Sequence, residues 1–527
     1  MSGSMEPGAP PRRAMKPRST KPRAREILLL TLVSACLALV LVNASRWFLR
    51  LDLTRSRAYS ISPVSRQILA SIPEQVHLTY YLSDTLRSLS PSPGRVIDLL
   101  REYEAESRGR LTVTVDDPGR TGHGEDARQF GILPQQIQVI QQNEQRTVDV
   151  YSGIAVDYLD RYTSLPAVFT PDGLEYSLSF AVRKVLAGRR LVVGIIVGEP
   201  GKSFASDFDT LRAGLSRDYS LHEYLPGDPI PAEVDTLIVA GGMQWTDAQI
   251  RPIDTYIMNG GKVLFAVKGL RVRTAGILEA SPVGPSPLLD MIRGYGVSVG
   301  RDLVLDTAAR NYRLPQQRPD GQVGWETIGR YPPWVSIQAP GASPDNPITA
   351  GFTGLDLLWP SDLAAAPPDG VQAQPLVSTT SSAWLDVPPF VIDPYKVDQQ
   401  GLDARRFTLA LDLTGTFPSR FSPARSAATR MIVVGDDDFL TDLMQFSDSL
   451  SNVLFVENAV LWLSGNDDLL TIKTRAGTEG RLDAIPDGSR RARLMLGAQL
   501  VNVALVPLAV LVVGLLVRMR RRERSSP

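Results

Sequence analysis

The sequence predicts an α/β protein with a transmembrane helix near each end and a large extracytoplasmic region between them. Two observations support this fold class. Strand-like apolar runs alternate with helical patterns through the middle of the 527-residue chain. Long apolar segments lie near both ends, and about 20 apolar residues are enough to cross a bilayer. We therefore expect transmembrane helices at residues 26–49 and 494–517.

The two ends of the chain predict its orientation. Residues 1–25 and 518–527 are rich in lysine and arginine, which predicts cytoplasmic tails, the first of them disordered. Two spans place both tails on one side, so the region between them faces outward from a bacterial inner (cytoplasmic) membrane. A cleavable signal peptide is the alternative for the first span, but its long basic region favours an uncleaved anchor.

Composition narrows the class of protein. The formal net charge is zero and the basic residues are concentrated at the two ends, which favours contact with membrane lipid and argues against a nucleic-acid partner. The single cysteine, Cys36, lies in the first apolar span. The outer region therefore has no disulfide, thiol nucleophile or cysteine metal site, as is common in bacterial envelope proteins.

Residues 50–190 predict a first α/β unit. Its order of elements is strand, helix, strand, helix, two paired strands at 137–141 and 146–150, and a final helix from about 174 to 186. A proline at 134 precedes the strand pair. This order resembles a thioredoxin-like fold, but the chain lacks a Cys-x-x-Cys pair and hence its redox chemistry.

Residues 191–470 predict a second α/β unit. The continuous apolar run at 191–197 is typical of a strand buried on both faces of a parallel sheet, and 234–240 and 262–267 predict two further strands that alternate with helical patterns. This alternation predicts a doubly wound sheet that resumes at 431–434. We interpret 310–425, rich in Pro, Gly and Ser, as an insertion, and 471–493 as a linker.

A phosphate-binding loop is one hypothesis for residues 198–203, which read Gly-Glu-Pro-Gly-Lys-Ser after a strand. A true loop of this kind needs an earlier glycine at position 196, where the chain has Ile196. The loop is two residues too short, so we predict no nucleotide site.

Several residues follow predicted strands and would meet at one edge of a parallel sheet, where such folds bind ligands. We predict a ligand-binding or partner-binding site formed by Gly198, Glu199, Gly201, Gly241, Gly242, Asp436, Asp437 and Asp438. The three aspartates offer hard oxygen ligands for a cation. The alternative, which we favour, is that one caps a helix and the others are solvated or pair with arginine. We predict no metal site, no cofactor and no catalytic residues.

Asn502 is a polar residue within the second apolar span. A polar side chain in hydrocarbon needs a hydrogen-bonding partner. We predict that Asn502 contacts a membrane partner.

The ordered segments together resemble one family, the auxiliary component of ABC-type transport systems associated with gliding motility, the GldG type. The resemblance is carried by residues 51–54, 59–62, 174–176, 182–185, 193–195, 234–241, 260–264, 434–440 and 458–463. It implies a separate permease and a separate ATPase as partners and provides no catalytic residues. It also implies a glutamine-amidotransferase-like fold for the second unit, although no cysteine is present there to act.

These observations predict a membrane-anchored, non-enzymatic accessory subunit of an ABC-type transport system. Its outer region would bind a transported substrate, an envelope partner or the permease. The alternative is an envelope hydrolase or transferase that uses a pocket at the strand ends.

Overall fold

A computed structural model of the chain describes residues 61–141, 144–274, 278–317, 323–349, 351–447 and 450–477. The helices are α1 Pro63–Ala70, α2 Asp84–Leu89, α3 Ser92–Glu106, α4 Pro118–Thr121, α5 Gly124–Gln129, α6 Leu174–Ala187, α7 Phe204–Asp207, α8 Asp209–Leu215, α9 Asp247–Met258, α10 Pro287–Tyr295, α11 Ser451–Leu463 and α12 Asp467–Gly477. Short 3₁₀ turns occur at Ala339–Gly341, Pro347–Thr349, Asp438–Leu440 and Asp442–Ser447.

The strands up to the middle of the chain are β1 Val76–Leu82, β2 Leu111–Asp116, β3 Gln135–Gln141, β4 Glu144–Val150, β5 Ser152–Tyr158, β6 Arg161–Leu165, β7 Leu191–Val197, β8 Tyr219–Glu223, β9 Thr236–Ala240, β10 Val263–Ala266, β11 Leu270–Arg273 and β12 Glu279–Pro282. The remaining strands are β13 Val297–Val299, β14 Leu303–Leu305, β15 Ala309–Gln317, β16 Val323–Ile337, β17 Leu355–Leu358, β18 Leu363–Ala365, β19 Val371–Ser378, β20 Trp384–Asp386, β21 Thr408–Gly415 and β22 Thr429–Val434.

The first large sheet has four strands in the order β2-β1-β5-β6. Strand β1 is parallel to β2, while β5 is antiparallel to both β1 and β6. Helix α3 connects β1 to β2, and its apolar residues at helical spacing, among them Val96, Leu100 and Tyr103, are buried. The hairpin of β3 and β4 forms a separate two-stranded sheet.

The second large sheet has seven strands in the order β19-β21-β22-β10-β9-β7-β8. Strands β22, β10, β9, β7 and β8 are parallel to one another. The two strands at the other edge, β21 and β19, run antiparallel. The central strands β9 and β10 are buried along their whole length, as continuous apolar runs predict.

Apolar side chains from both large sheets join in one continuous buried cluster. It includes Leu78 and Val156 from the first sheet and Ile195 and Ile432 from the second. Helix α11 is mostly apolar and buried on nearly every side, as expected for a helix inside a core. A second cluster covers the opposite face of the seven-stranded sheet with α9 and α10.

The predicted fold class is wrong in its architecture. We expected two transmembrane helices flanking a thioredoxin-like unit and a doubly wound, glutamine-amidotransferase-like unit. The described residues form a mixed α/β structure with seven sheets. Among them, no helix combines the length and the apolar character needed to cross a bilayer. The segments 26–49 and 494–517 lie outside the described residues.

The large sheet departs from a doubly wound arrangement because the chain between 310 and 425 returns to it. Strands β19 and β21 come from this stretch and extend the sheet with antiparallel edges. The strand pair beside β1 also differs from the predicted one. The two strands predicted as a pair, at 137–141 and 146–150, form the separate β3–β4 hairpin. Strands β5 and β6 lie in the four-stranded sheet with β1 and β2 instead.

Candidate functional site

Four parallel strands of the large sheet end at the same level. Val197 lies opposite Ala240, Ala240 opposite Ala266, and Ala266 opposite Val434. Because the carboxyl ends of parallel strands share one edge of a sheet, the loops that follow them meet there. The structure therefore brings together the three predicted segments, 198–201, 241–242 and 436–438.

Glycines allow these loops to approach closely. The Gly198 amide donates a hydrogen bond to the Ala240 carbonyl at 2.7 Å. A Cβ added at Gly198 would overlap the backbone of Gly242 and lie 2.5 Å from Trp245 Cζ2. Gly241 and Gly242 both have a positive φ, of 80° and 94°, a conformation that favours glycine. Gly201 also has a positive φ but is exposed, with no atom near its missing side chain.

The three aspartates surround the ammonium group of Lys268, which the sequence prediction did not include. Lys268 Nζ lies 2.8 Å from Asp437 Oδ1 and 4.0 Å from Asp436 Oδ1, and it donates a short hydrogen bond to Asp438 Oδ2. Lys202 Nζ reaches Asp438 Oδ1 at 2.6 Å. We call Lys268, Asp436, Asp437 and Asp438 the strand-end cluster. None of its four residues is more than 4% exposed.

Backbone groups orient Asp436 within the strand-end cluster. Its Oδ2 accepts a hydrogen bond from the Leu358 amide, and its Oδ1 accepts one from the Asp438 amide, both at 2.8 Å. Asp437 is held mainly by its ion pair with Lys268, and its Oδ2 has no hydrogen-bond donor. That oxygen faces Gly241.

Burial and neighbouring charges shift the pKa values of Asp436 and Asp438 in opposite directions. Burial raises the pKa of Asp436 to about 8; the carboxylates of Asp438 and Asp437 add to this effect, and Lys268 opposes it. Burial also acts against ionisation of Asp438, but the ammonium groups of Lys268 and Lys202 outweigh it and lower its pKa to about 2.

The pKa values of Lys268 and Lys202 are both raised. Burial lowers the pKa of the Lys268 ammonium, but the three carboxylates outweigh it and hold that pKa well above its usual value. The same balance of burial against Asp438 and Asp437 raises the pKa of Lys202. Burial, with Asp437, raises the pKa of Glu199, the half-buried carboxyl at the rim.

The arrangement is charge-compensated from within the chain. Oxygen atoms of the three aspartates lie within 4.8 Å of one another, a spacing that suits a hard cation. The Lys268 ammonium lies among them, so a cation could enter only if Lys268 moved away. The aspartates are therefore ion-paired, but with lysines and not with the arginine that we expected from the sequence. Ligand or partner binding at these loops stays a prediction.

Lys202 has a partner that a phosphate-binding lysine would not have. Its ammonium is bound to Asp438, and the loop leads into α7, a helix of only four residues. Buried carboxylates at this edge would also repel a phosphate. The last predicted contact residue, Asn502, lies outside the described residues.

Lys268 could have been found in the sequence by the rule that identified the other residues. It lies just beyond strand β10, as Gly198 and Asp436 lie beyond β7 and β22. An isolated lysine after a buried strand is not part of a recognisable motif. Lys268 was therefore not part of the site predicted from the sequence.

Comparisons with individual known proteins give only distant similarities. An uncharacterized protein of Borreliella burgdorferi (strain ATCC 35210 / DSM 4680 / CIP 102532 / B31) is 22% identical over 518 residues, which cover 96% of this chain and all of that one. Among solved structures, a polyextremophilic β-galactosidase from the Antarctic haloarchaeon Halorubrum lacusprofundi is 12% identical, with a TM-score of 0.26. The match covers 56% of this chain and 34% of the β-galactosidase.

Two family models match the chain. A domain of unknown function (DUF7088) matches residues 55–157. The model described as an ABC-type uncharacterized transport system matches residues 190–464, which include the whole seven-stranded sheet and the strand-end cluster. Because this match extends over more than half of the chain, the protein belongs to the family of ABC-type uncharacterized transport systems.

Proposed function

We propose that this protein is an accessory, non-ATPase subunit of a bacterial ABC-type transport system, working with a separate permease and a separate ATPase. The observation that carries the proposal is the family match over the seven-stranded sheet. The engagement of Lys202 by Asp438 supports the non-ATPase part, because the lysine of this loop is already neutralised within the fold.

The finer parts of the proposal concern location and type. We propose that the protein works at the inner membrane with its folded body on the outer side, and that it is of the GldG type. The family supports the membrane setting, since ABC-type transport takes place across a membrane. The sequence resemblance supports the type, and a role in gliding motility rests on that resemblance alone.

Co-purification tests the accessory role. A tagged full-length protein, extracted from membranes of its native host, is expected to bring down a multispan permease and an ATPase, identified by mass spectrometry. The purified chain alone is expected to show no ATP hydrolysis. The proposal is wrong if no transport component co-purifies, or if the chain hydrolyses ATP and Lys202→Ala abolishes that activity.

Cysteine labelling tests the location separately. In a Cys36→Ser background, Leu402→Cys introduces a thiol at a position that is 91% exposed. An impermeant maleimide should label it in intact cells. Thr379→Cys, at a position 1% exposed, is the matched control and should react only after denaturation. Labelling of Leu402→Cys only after lysis would place the body in the cytoplasm.

An envelope hydrolase or transferase is the alternative. Three converging carboxyl groups favour it, and two of them, Asp436 and Asp438, have shifted pKa values. Asp436, however, is 0% exposed, and Lys268 and Lys202 are ion-paired with these aspartates, so a substrate would reach them only after the loops opened. This burial is why we propose the accessory role in preference to catalysis.

A further inference from the structure

A polar cleft of about 720 Å³ lies away from the strand-end cluster. Its walls come from strand β6, helix α6, the 188–190 loop and residues 217–219, with Glu457 of α11 among its lining residues. A volume of this size suits a small organic ligand rather than a single ion. Tyr162, Tyr176 and Tyr219 add aromatic surface.

The cleft has an excess of positive charge. Its lining includes five basic side chains, from Arg161, Lys184, Arg189, Arg190 and Arg217, and three acidic ones, from Asp160, Asp218 and Glu457. Two of the acids have basic partners nearby. Asp218 is 3.1 Å from Lys184, and Glu457 is 3.7 Å from Arg217 and 4.0 Å from Lys473.

Two arginines of the cleft make only long contacts with other residues that the structure describes. Arg190 donates only a long hydrogen bond, of 3.5 Å, to the Ser216 carbonyl and forms no ion pair with any residue in the described part of the chain. Arg161 lies 3.9 Å from Asp160 and donates to the Val185 carbonyl at 3.4 Å. Arg189, by contrast, binds Asp235 through two hydrogen bonds of 2.6 and 2.8 Å.

Two exposed arginines outside the cleft are held more closely by a carboxylate. Arg293 pairs with Asp290 at 2.7 Å, and Arg273 pairs closely with Glu279. A guanidinium group presents paired N–H donors that match the oxygens of phosphate. Several such groups facing one concavity without close partners are suited to an anion of more than one charge.

We propose that this cleft binds a small phosphorylated organic molecule, with Arg161, Arg190 and Arg217 holding the phosphoryl group and the tyrosines contacting the rest. The recognised chemistry is a phosphomonoester, whether free in solution or on a lipid headgroup. The inference does not depend on the accessory role, because it is argued from the residues that line the cleft, whereas the accessory role rests on the family match.

Binding to the full-length protein tests the proposal. The probes are glucose 1-phosphate and, for the lipid source, vesicles of phosphatidylcholine with or without phosphatidic acid. Titration at constant ionic strength is expected to show saturable binding of at least one probe. The double variant Arg161→Gln/Arg190→Gln should weaken it about tenfold or more, since each charged hydrogen bond contributes strongly to affinity.

The matched control removes the same charge elsewhere. Arg120→Gln/Arg293→Gln changes two exposed arginines outside the cleft and should leave affinity within about twofold. Melting temperatures of both double variants establish that they fold. Loss with the cleft variant alone supports the proposal, and which probe binds identifies the source. Equal loss in both double variants, or no binding of either probe, would overturn it.

Discussion

The strand-end cluster and the cleft both contain many charged side chains, but these charges differ in burial and in ion pairing. In the strand-end cluster, three aspartates and Lys268 are almost fully buried, and Lys202 together with protonation of Asp436 below about pH 8 completes their charge balance. In the cleft, arginines such as Arg161 and Arg190 are exposed and have only long contacts. A buried charge needs a partner within the fold, whereas an exposed one can be left to water or to a ligand.

This difference predicts that the strand-end cluster contributes to stability and that the cleft contributes to binding. The residues that a sequence pattern suggested as a binding site are positioned to hold four strand ends together. The residues best placed to meet a ligand carry no recognisable motif. Substitutions in the two regions should therefore affect different measurements, and three comparisons between them test this separation.

The largest effect is expected from Lys268→Met. This change keeps the length of the side chain but leaves the buried, ionised Asp437 and Asp438 with only Lys202 to balance them. Removing one partner from a buried ion pair costs about 3–5 kcal/mol. Urea unfolding of the full-length protein should show a loss of this size in the free energy of unfolding.

Arg189→Met in the cleft wall is the control for that loss. The Arg189 side chain is 58% exposed, and exposed ion pairs contribute about 1 kcal/mol or less. If the two variants lost the same stability, the distinction between a structural cluster and an open cleft would be wrong.

A smaller effect is expected from alanine at two glycines. Gly198→Ala places a methyl group against the Gly242 backbone and the Trp245 ring, which cannot move without separating the strand ends. Overpacking of this kind costs about 2–3 kcal/mol. At the cleft, the Cβ of Gly188→Ala would meet only the mobile end of the Arg161 side chain.

For Gly188→Ala, the backbone φ of 72° costs about 1 kcal/mol in an L-residue. Displacement of Arg161 should also weaken glucose 1-phosphate binding. Thermal unfolding and the same titration distinguish the two variants. A Gly198→Ala protein as stable as Gly188→Ala would show that the strand-end packing tolerates movement.

The smallest expected effect, per pH unit, is a change in the free energy of unfolding with pH. The pKa of Asp436 is raised to about 8 in the folded state, above its usual value near 4. The folded protein therefore holds a proton that the unfolded chain releases, so this group's contribution to stability is complete below about pH 4. It is lost as the pH rises towards 8, at less than about 1.4 kcal/mol per pH unit.

Asp436→Asn removes that titration. Relative to the wild type, the variant should gain stability as the pH rises from 4 to 8, as measured by denaturant unfolding across this range. Arg189→Met, which keeps Asp436, again provides the reference and should follow the pH dependence of the wild type. A constant difference between Asp436→Asn and the wild type at every pH would mean that Asp436 is ionised throughout this range.

The sequence predicted the central strands well because their burial on both faces leaves continuous apolar runs, as in β7 and β9. It did not reveal the antiparallel edge. Strand β19 contains Pro375 and lies in a stretch rich in turn-forming residues, and its pairing with β21 depends on contacts distant in sequence. Local patterns carry no information about such pairing.

The site was predictable in part for the same reason. The rule that loops after parallel strands meet at one edge correctly grouped Gly198, Gly241 and Asp436. It did not distinguish exposed from buried groups, so the neutralising role of Lys268 was missed. The cleft arginines come from elements that only tertiary packing brings together, and no spacing in the sequence indicates them.

The pairing of β10 with β22 has a consequence for how the chain folds. Lys268 and Asp438 lie 170 residues apart in the sequence. On a ribosome adding about 5–20 residues per second, β10 therefore waits roughly ten to thirty seconds for its parallel neighbour. During that interval one side of a fully apolar strand has no β22 to cover it, which is a state prone to aggregation. Chaperone dependence should therefore concentrate in the window between synthesis of residue 266 and residue 434.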